Sequence, residues 1–248
     1  MNSEFQELYN TFLRIKSLGW IKCKYKGDGA IGRQFEELIG NNDNSFEIPD
    51  FNGIEIKTKY SNIEKFMTLF SYAPEGENFF ESKRIKDEYG YPDKDFPNFK
   101  VLNGSIYFNL CSKFNENYIF FPKFDKNKKK IVLNIYDNNL TLIENSVYWS
   151  IKTIEEKMLR KIKYLAIISA DRKYENGMVY CRYTKISFYI FKGIDFFINQ
   201  FIKHNIRITF KLNIYKSGNN IGKIHDHGTS FDVRCSNITQ LYDEIKIQ

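Results

Sequence analysis

Apolar residues recur at helical spacing near the start of the chain, where Phe5, Leu8, Phe12 and Ile15 share one face. The pattern predicts a helix over residues 4–17, with Ser3 as its N-cap and a break at Gly19. Lys22–Gly29 is a basic, glycine-punctuated loop. A shorter helical pattern spans Ile31–Ile39, with Gly40 placed to close it as a C′ residue, and residues 41–44 form a polar turn. From Ile54 the period changes to two: Ile54 and Ile56 fall on one side, Glu55 and Lys57 on the other, which is the alternation of a strand.

Residues 74–100 hold Pro74, Pro92, Pro97 and scattered charge, and predict a long loop-rich excursion with one helix near Glu81–Glu88. This excursion is the best candidate for a lobe boundary. Strand patterns then appear at Ser105–Leu110, Tyr118–Pro122 and Ile131–Tyr136, with Lys126–Lys130 as a hairpin tip. A helix over about 150–161 leads into strands Tyr164–Ala170 and Met178–Phe191. A helix near Ile194–Lys203 precedes a last pair, Arg207–Tyr215 and Thr229–Arg234, joined by a turn rich in Gly and Asn. The fold class expected is α+β with much antiparallel sheet.

Composition narrows this picture. Of 248 residues 42% are hydrophobic and 17% aromatic, which excludes a disordered chain. A net charge of +7 and a pI near 9.0 suit phosphate backbones, and equally anionic membranes or acidic proteins. The cysteines at 23, 111, 181 and 235 form no CxxC pair, so they read as reduced structural thiols, not zinc ligands. The N-terminus carries acids and no apolar core, unlike a signal peptide, and no apolar run reaches membrane-spanning length. A cytoplasmic protein without a membrane partner is expected.

Asp50, Glu55 and Lys57 carry the sharpest chemical signal. Pro49 and Asp50 sit in a turn, and Glu55 and Lys57 project from one face of the following strand. Phosphodiester hydrolysis needs carboxylates to hold a hard divalent ion, an activated water and compensation for charge on the phosphorane. Asp50 and Glu55 supply oxygens, with the Ile56 carbonyl a third, and Lys57 can hold the water and neutralise charge. An oxygen-only site selects Mg2+, for which Mn2+ can substitute. The plain alternative is an exposed strand face with alternating charge. Glu36, on the helix just before the strand, can reach the metal or orient Lys57; its neighbour Glu37 can equally be the acid that points in. The loop Gly-Asp-Gly-Ala-Ile-Gly before that helix has free N–H groups suited to a phosphate.

A second cluster is Gly222-Lys-Ile-His-Asp-His-Gly-Thr229. It reads as a metal site lacking a third soft ligand, as a polar turn of no consequence, or as a base reader. In the last case Arg207, Lys211, Lys223, His225, Asp226, His227 and Arg234 would suit G·C pairs, since His, Arg and Lys donate to guanine while Asp accepts from cytosine.

The order GDGAIGRQFEELIG, IPDFNGIEIKTK and GKIHDHGTSFDV resembles the MvaI/BcnI group of restriction endonucleases, relatives of the mismatch-repair nicking enzyme MutH. The likeness covers the first sixty and last thirty residues well and places the middle by order alone. It implies a MutH-like PD-(D/E)xK fold, a mixed sheet with flanking helices and two lobes forming a DNA cleft. Approximate bounds would be 1–90 with 145–203 for a catalytic lobe, and 91–144 with 204–248 for a recognition lobe. It assigns catalysis to Asp50, Glu55, Lys57 and Glu36, and recognition to the histidine-bearing turn. It further implies a monomer, without an obligate protein partner, that cuts double-stranded DNA one strand at a time. One branch implies the site CC(A/T)GG, cut before the central A·T pair, whereas MutH-like relatives nick GATC. A repair nickase or structure-specific nuclease, and a non-catalytic basic nucleic-acid-binding protein whose aromatics stack bases, are the competing readings.

Overall fold

The computed structural model describes residues 2–27, 29–40, 48–61, 66–78, 80–221 and 223–247, and for Asn2, Ile224, Asp226 and His227 the backbone alone. The expected turn at 41–44 lies outside these residues, as does Asp28 of the glycine-punctuated loop. Along the chain run α1 (Asn2–Ser17), β1 (Ile21–Lys22), α2 (Ala30–Leu38), β2 (Ile54–Tyr60), β3 (Phe66–Ser71), α3 (Glu81–Tyr89), β4 (Tyr91–Pro92) and β5 (Lys100–Tyr107). Then come β6 (Ser112–Lys113), β7 (Tyr118–Asp125), β8 (Lys130–Asp137), β9 (Leu142–Glu144), β10 (Tyr148–Ser150), α4 (Ile151–Lys161), β11 (Tyr164–Glu175) and β12 (Met178–Phe191). The chain closes with α5 (Ile194–Ile202), β13 (Ile206–Ile214), β14 (Ile224–Arg234), α6 (Ile238–Leu241) and β15 (Tyr242–Ile245). The architecture is mixed α+β, as the pattern predicted.

Three details differ from expectation. Ser3 lies inside α1 and hydrogen-bonds Glu4, so it is not the cap. β11 runs on past Ala170 to a tight Asn176–Gly177 turn, because every residue of its extension stays paired with β12, which spans Met178–Phe191 as expected. The stretch holding His225, Asp226 and His227 is strand, not turn: β14 begins at Ile224 and pairs with β13 from its first residue.

The chain divides into two compact units. Unit 1 comprises Met1–Lys65, Lys157–Lys192 and Ile238–Gln248; unit 2 comprises Phe66–Glu156 and Gly193–Asn237. These bounds fall elsewhere than at 90, 145 and 203, for two reasons visible in the pairing. β3, which the periodicity did not mark, pairs with β14 of unit 2. The last residues return to unit 1, where β15 pairs with β12.

Unit 1 is one sheet in the order β1-β12-β11-β2, with β15 also on β12; β2 runs parallel to β11 and the other pairs are antiparallel. One face is closed by Phe5, Leu8, Phe12 and Ile15 of α1 and by Ile31 and Phe35 of α2, packed with Ile54, Ile56, Ala166, Ile168, Tyr183 and Phe188. Phe5 meets Phe188 edge-on at 5.4 Å and Phe35 meets Tyr183 at 5.1 Å between ring centres. Phe35 is fully buried, and truncating such a ring costs about 3–5 kcal/mol. Gly40, with φ +79°, sits at the C′ position of α2 and donates its N–H to the Glu37 carbonyl at 3.1 Å.

Unit 2 contains two antiparallel sheets, β10-β8-β7-β6 with β9, and β3-β14-β13-β5-β4. Its core is aromatic: Trp149, Phe120, Phe210, Phe231 and Phe197 are essentially inaccessible to solvent. Along β13 burial alternates strictly, leaving Arg207, Thr209, Lys211 and Asn213 on the half-buried side.

Candidate active site

The approach of Asp50 to Glu55 starts with a turn. Asn52 and Gly53 both take positive φ, +43° and +85°, and Phe51 and Ile54 exchange backbone hydrogen bonds of 3.0 and 2.7 Å across them. Asn-Gly is the dipeptide that forms this two-residue reversal at least strain. It folds Asp50 back alongside β2, where Oδ2 accepts the Ile56 N–H at 2.8 Å. β2 ends the order of its sheet, and this N–H, taken by Asp50, is on the edge away from β11. The N–H and C=O of one strand residue point to the same side, which places the Ile56 carbonyl on that edge beside Asp50.

Glu55 is 1% exposed. Its Oε1 receives Lys57 Nζ at 2.5 Å and Lys161 Nζ at 3.6 Å, while Oε2 is buried with no hydrogen-bond partner. Burial raises the Glu55 pKa and the charge of Asp50 adds to the rise, against the pull of Lys57 and Lys161. Glu36 behaves alike: burial and then the Asp50 charge raise its pKa, opposed by Lys57, Arg33 and Lys161. Its carboxyl therefore lies within electrostatic reach of the whole cluster. Glu37 instead binds Lys24 Nζ and accepts from Tyr25 Oη at 3.2 Å, and the Lys24 contact lowers its pKa. Glu36, not Glu37, is the helix acid turned toward Asp50 and Lys57. Glu36, Asp50, Glu55 and Lys57 are thus brought together.

Two members of the cluster escaped the sequence pattern. Lys161, the last residue of α4, supplies Glu55 with a second cation. Tyr242 is fully buried, and the charge of Glu55 adds to burial in raising its pKa. They stand more than a hundred residues away in the chain, so no local spacing announces them; the parallel β2–β11 pairing brings the segment that follows α4 alongside β2.

The second set of candidates lies in unit 2. Arg207 stacks 3.8 Å over the Phe66 ring and donates Nε to Asp232 at 3.3 Å, while Arg234 lies 5.0 Å from the same ring. Asp232 is buried and also accepts from Thr209 at 2.7 Å, Thr68 at 2.8 Å and Ser230 at 2.9 Å. Burial works to raise its pKa, but these hydroxyls and the charge of Lys211 outweigh it and hold the group below the usual range. Asn103 of β5 donates to Asn213 at 2.6 Å, and Ser105 meets Thr209 at 2.9 Å. The His225 ring lies 4.0 Å from Tyr215, and Lys223 bonds Asn220 in the hairpin loop ahead of β14. The Asp226 and His227 side chains lie outside the described residues. Arg207, Lys211 and Arg234 thus gather around Asp232 and Phe66, whereas Lys223 stands at the loop. Asp232, Phe66, Thr68, Asn103 and Ser105 are polar or aromatic partners that only the sheet register reveals.

The family model of the MvaI/BcnI restriction endonuclease family matches residues 9–242. The chain belongs to the MvaI/BcnI restriction endonuclease family. A solved structure described as "Restriction endonuclease MvaI-cognate DNA substrate complex" is 27% identical, with 100% of each chain covered and a TM-score of 0.91. Another, "Restriction endonuclease MvaI in the absence of DNA", is 27% identical over 100% of this chain and 99% of that one, with a TM-score of 0.63. Among curated proteins no sequence matches the chain. As a MvaI/BcnI member the chain is a site-specific DNA endonuclease, and its mixed α+β architecture is that of MvaI.

Restriction endonucleases of this class generally require a divalent metal, and the residues present fit one. Among the described residues no group of three His, Cys, Asp or Glu side chains forms a ready metal cluster. The oxygens that could hold one are two carboxylates, of Asp50 and Glu55, and a strand-edge carbonyl, of Ile56. The unpartnered, buried Oε2 of Glu55 is the polar atom a cation would satisfy. An all-oxygen set of this size suits a hard ion that keeps part of its water shell.

Proposed function

We propose that this MvaI/BcnI enzyme is a type II restriction endonuclease that hydrolyses double-stranded DNA at a short G·C-rich site, CC(A/T)GG. In this reading it acts as a monomer, cutting the strands one after the other, with Mg2+ as its metal and Mn2+ as a substitute. The observation that carries the chemistry is the cluster of Glu36, Asp50, Glu55 and Lys57 around the open edge of β2, with one buried Glu55 oxygen lacking a partner. Asp50, Glu55 and the Ile56 carbonyl would hold the metal, which when bound offsets charge on the phosphate and lowers the pKa of water. Lys57 Nζ, held by Glu55, donates toward the attacking water or a phosphate oxygen and offsets negative charge as the P–O bond breaks. Lys161 keeps a second positive charge against Glu55, so that Lys57 can turn toward substrate without leaving that carboxylate unpaired. Glu36 orients Lys57 and the water from the far side of the cluster.

Unit 1 is the catalytic part in this reading and unit 2 reads the sequence. His225, Asp226, His227, Arg207, Lys211, Lys223 and Arg234 contact base edges or the phosphates beside them. The likeness to MvaI bound to its cognate DNA substrate supports it, as does the crowding of Arg, Lys, Asn, Ser and Thr on one face of β5 and β13. The test is digestion of a plasmid of known sequence with Mg2+, Mn2+ or EDTA, followed by sequencing of the fragment ends. Discrete ends at CC(A/T)GG, lost in EDTA, are expected. Ends at another sequence would replace the site, nicks alone would favour a repair nickase, and activity surviving EDTA would overturn the metal mechanism.

A further inference from the structure

The catalytic face of the unit 1 sheet does not end at Lys57. Side chains alternate along a strand, so Lys59 shares the face of Glu55 and Lys57. It pairs in register with Ser169 of β11, which pairs on its other side with Lys185 of β12. Ala170 and Tyr183 belong to the opposite, core-facing side, so the outward side continues through Asp171 and Lys173. β2 stops at Tyr60, but β11 and β12 run on as a ribbon, bordered by β1.

The outer face of this ribbon is cationic. Arg182 is exposed and held by Asp171 at 2.8 Å; Lys173 is held by Glu175 at 2.7 Å; Lys22 of β1 lies in register with Tyr180. The Trp20 ring lies between two of them, 4.9 Å from the Arg182 guanidinium and 5.2 Å from Lys173 Nζ. Cations resting on an indole lose less conformational freedom when they bind an anion. Lys22, Lys59, Lys173, Arg182 and Lys185 together outnumber the two acids, Asp171 and Glu175, on the same face. From Ile167, which faces Lys57, to Lys173 the ribbon advances six residues, about 20 Å at strand rise. That span matches about six phosphates of one DNA strand, at about 3.4 Å of helix axis each.

We propose that this face, running from Lys59 along the ribbon to Lys173, is a phosphate track that holds the backbone of the duplex beyond the recognition site, on the strand leading away from the cut. The proposal rests on the reading of the chain as a DNA nuclease. Charge complementarity and continuity with the catalytic face select a polyanionic backbone over an acidic protein surface, whose carboxylates carry no such regular spacing. The track reads no sequence: it adds affinity and sets the length of DNA the enzyme covers.

The test uses the triple variant Lys59→Gln/Arg182→Gln/Lys185→Gln, which keeps Lys57 and changes half-buried or exposed side chains only. Binding is measured by fluorescence anisotropy in calcium, on duplexes of about 12 and about 30 base pairs carrying CC(A/T)GG, between about 50 and 200 mM KCl. The wild type is expected to bind the longer duplex more tightly and with a steeper salt dependence. The variant should lose that length advantage, and its slope of log K against log salt should flatten by about 0.9 for each contact removed, about 2 to 3 in all. Lys246→Gln, an exposed lysine away from the ribbon, should leave the slope unchanged. A charge-reversal variant, Lys22→Glu, should weaken binding to the longer duplex alone. If wild-type protein cuts plasmid DNA while the triple variant keeps the full slope and length advantage, the track is wrong and the nuclease reading stands. If wild-type protein neither cuts DNA nor shows salt-dependent binding, the nuclease reading falls and the track with it.

Discussion

Asp50 and Glu55 hold different positions in the same cluster, and single substitutions separate them. Asp50→Asn, Glu55→Gln and Lys57→Ala should each cut cleavage by about 10²–10³-fold or more, because each removes charge placed for the transition state. Anisotropy in calcium should still register DNA binding, since the phosphate contacts proposed above lie elsewhere. Glu36→Gln should cost about 10–100-fold, as expected for a group that supports the metal's ligands, and Glu37→Gln almost nothing, because its partners are Lys24 and Tyr25 at the surface. A silent Glu36→Gln beside a damaging Glu37→Gln would reverse that assignment. Glu55→Gln should also raise the thermal midpoint in EDTA: burial raises the pKa of Glu55, so ionisation opposes folding at neutral pH, and any stability the carboxyl contributes is lost as pH rises through its raised value. Asp232 has the opposite sign. Its folded pKa lies below the ordinary 3.8, so its contribution is present above that value and lost as pH falls through the folded one. Asp232→Asn should destabilise the protein by about 1–3 kcal/mol at neutral pH, and the gap to wild type should close in acid, read by denaturant melts across pH. The short-range members of the candidate site were legible because Glu36, Asp50, Glu55 and Lys57 lie on one helix, one turn and one strand. Lys161, Tyr242 and Asp232 were not, because their partners lie in other segments of the chain.

Among the elements, the Asn52–Gly53 turn decides whether the acids meet. Asp50 and Ile56 stand six positions apart, and the reversal at φ +43° and +85° brings the Asp50 carboxylate to the Ile56 N–H. Gly53→Val places a β-branched residue in the left-handed region at a cost of about 1–2 kcal/mol. If the turn opens to relieve that strain, Asp50 moves out of register with Glu55. Cleavage should fall far more than stability, whereas Asn52→Gly, which keeps the positive φ, should retain most activity; single-turnover rates set beside thermal melts check both. Helices α2 and α4 were legible to within a residue or two, since their apolar stripes are local. β14 was misplaced at its start because Gly222-Lys-Ile-His-Asp-His-Gly looks like a turn by composition. Pairing with β13 overrides that preference: Asn213 opposes His225, and Leu212 opposes Asp226. The change matters for function, since residues on a paired strand are held more rigidly than residues on a loop.

For the whole molecule, the prediction is kinetic. A single chain facing a near-palindromic site cannot present one surface to both halves, so the proposed monomer must make two incisions. On a supercoiled plasmid with one site, nicked circles should accumulate before linear product, and the rate should rise in direct proportion to enzyme. Concerted double-strand cutting with second-order dependence on enzyme would point to a dimer. The sequence by itself determined the α+β class, the helices with a continuous apolar stripe, the hairpin at Lys126–Lys130 and the grouping of Asp50, Glu55 and Lys57 with one acid of the preceding helix, because each is written in spacings of a few residues. Tertiary structure alone decided which helix acid faces the cluster, that Lys161 and Tyr242 join it, that the histidine segment is strand, and that the chain crosses between its two units at Lys65, Glu156, Lys192 and Asn237. Those outcomes depend on pairings between distant segments, β2 with β11, β3 with β14 and β15 with β12. Their energies come from burial and strand register, which residue spacing along one chain does not encode.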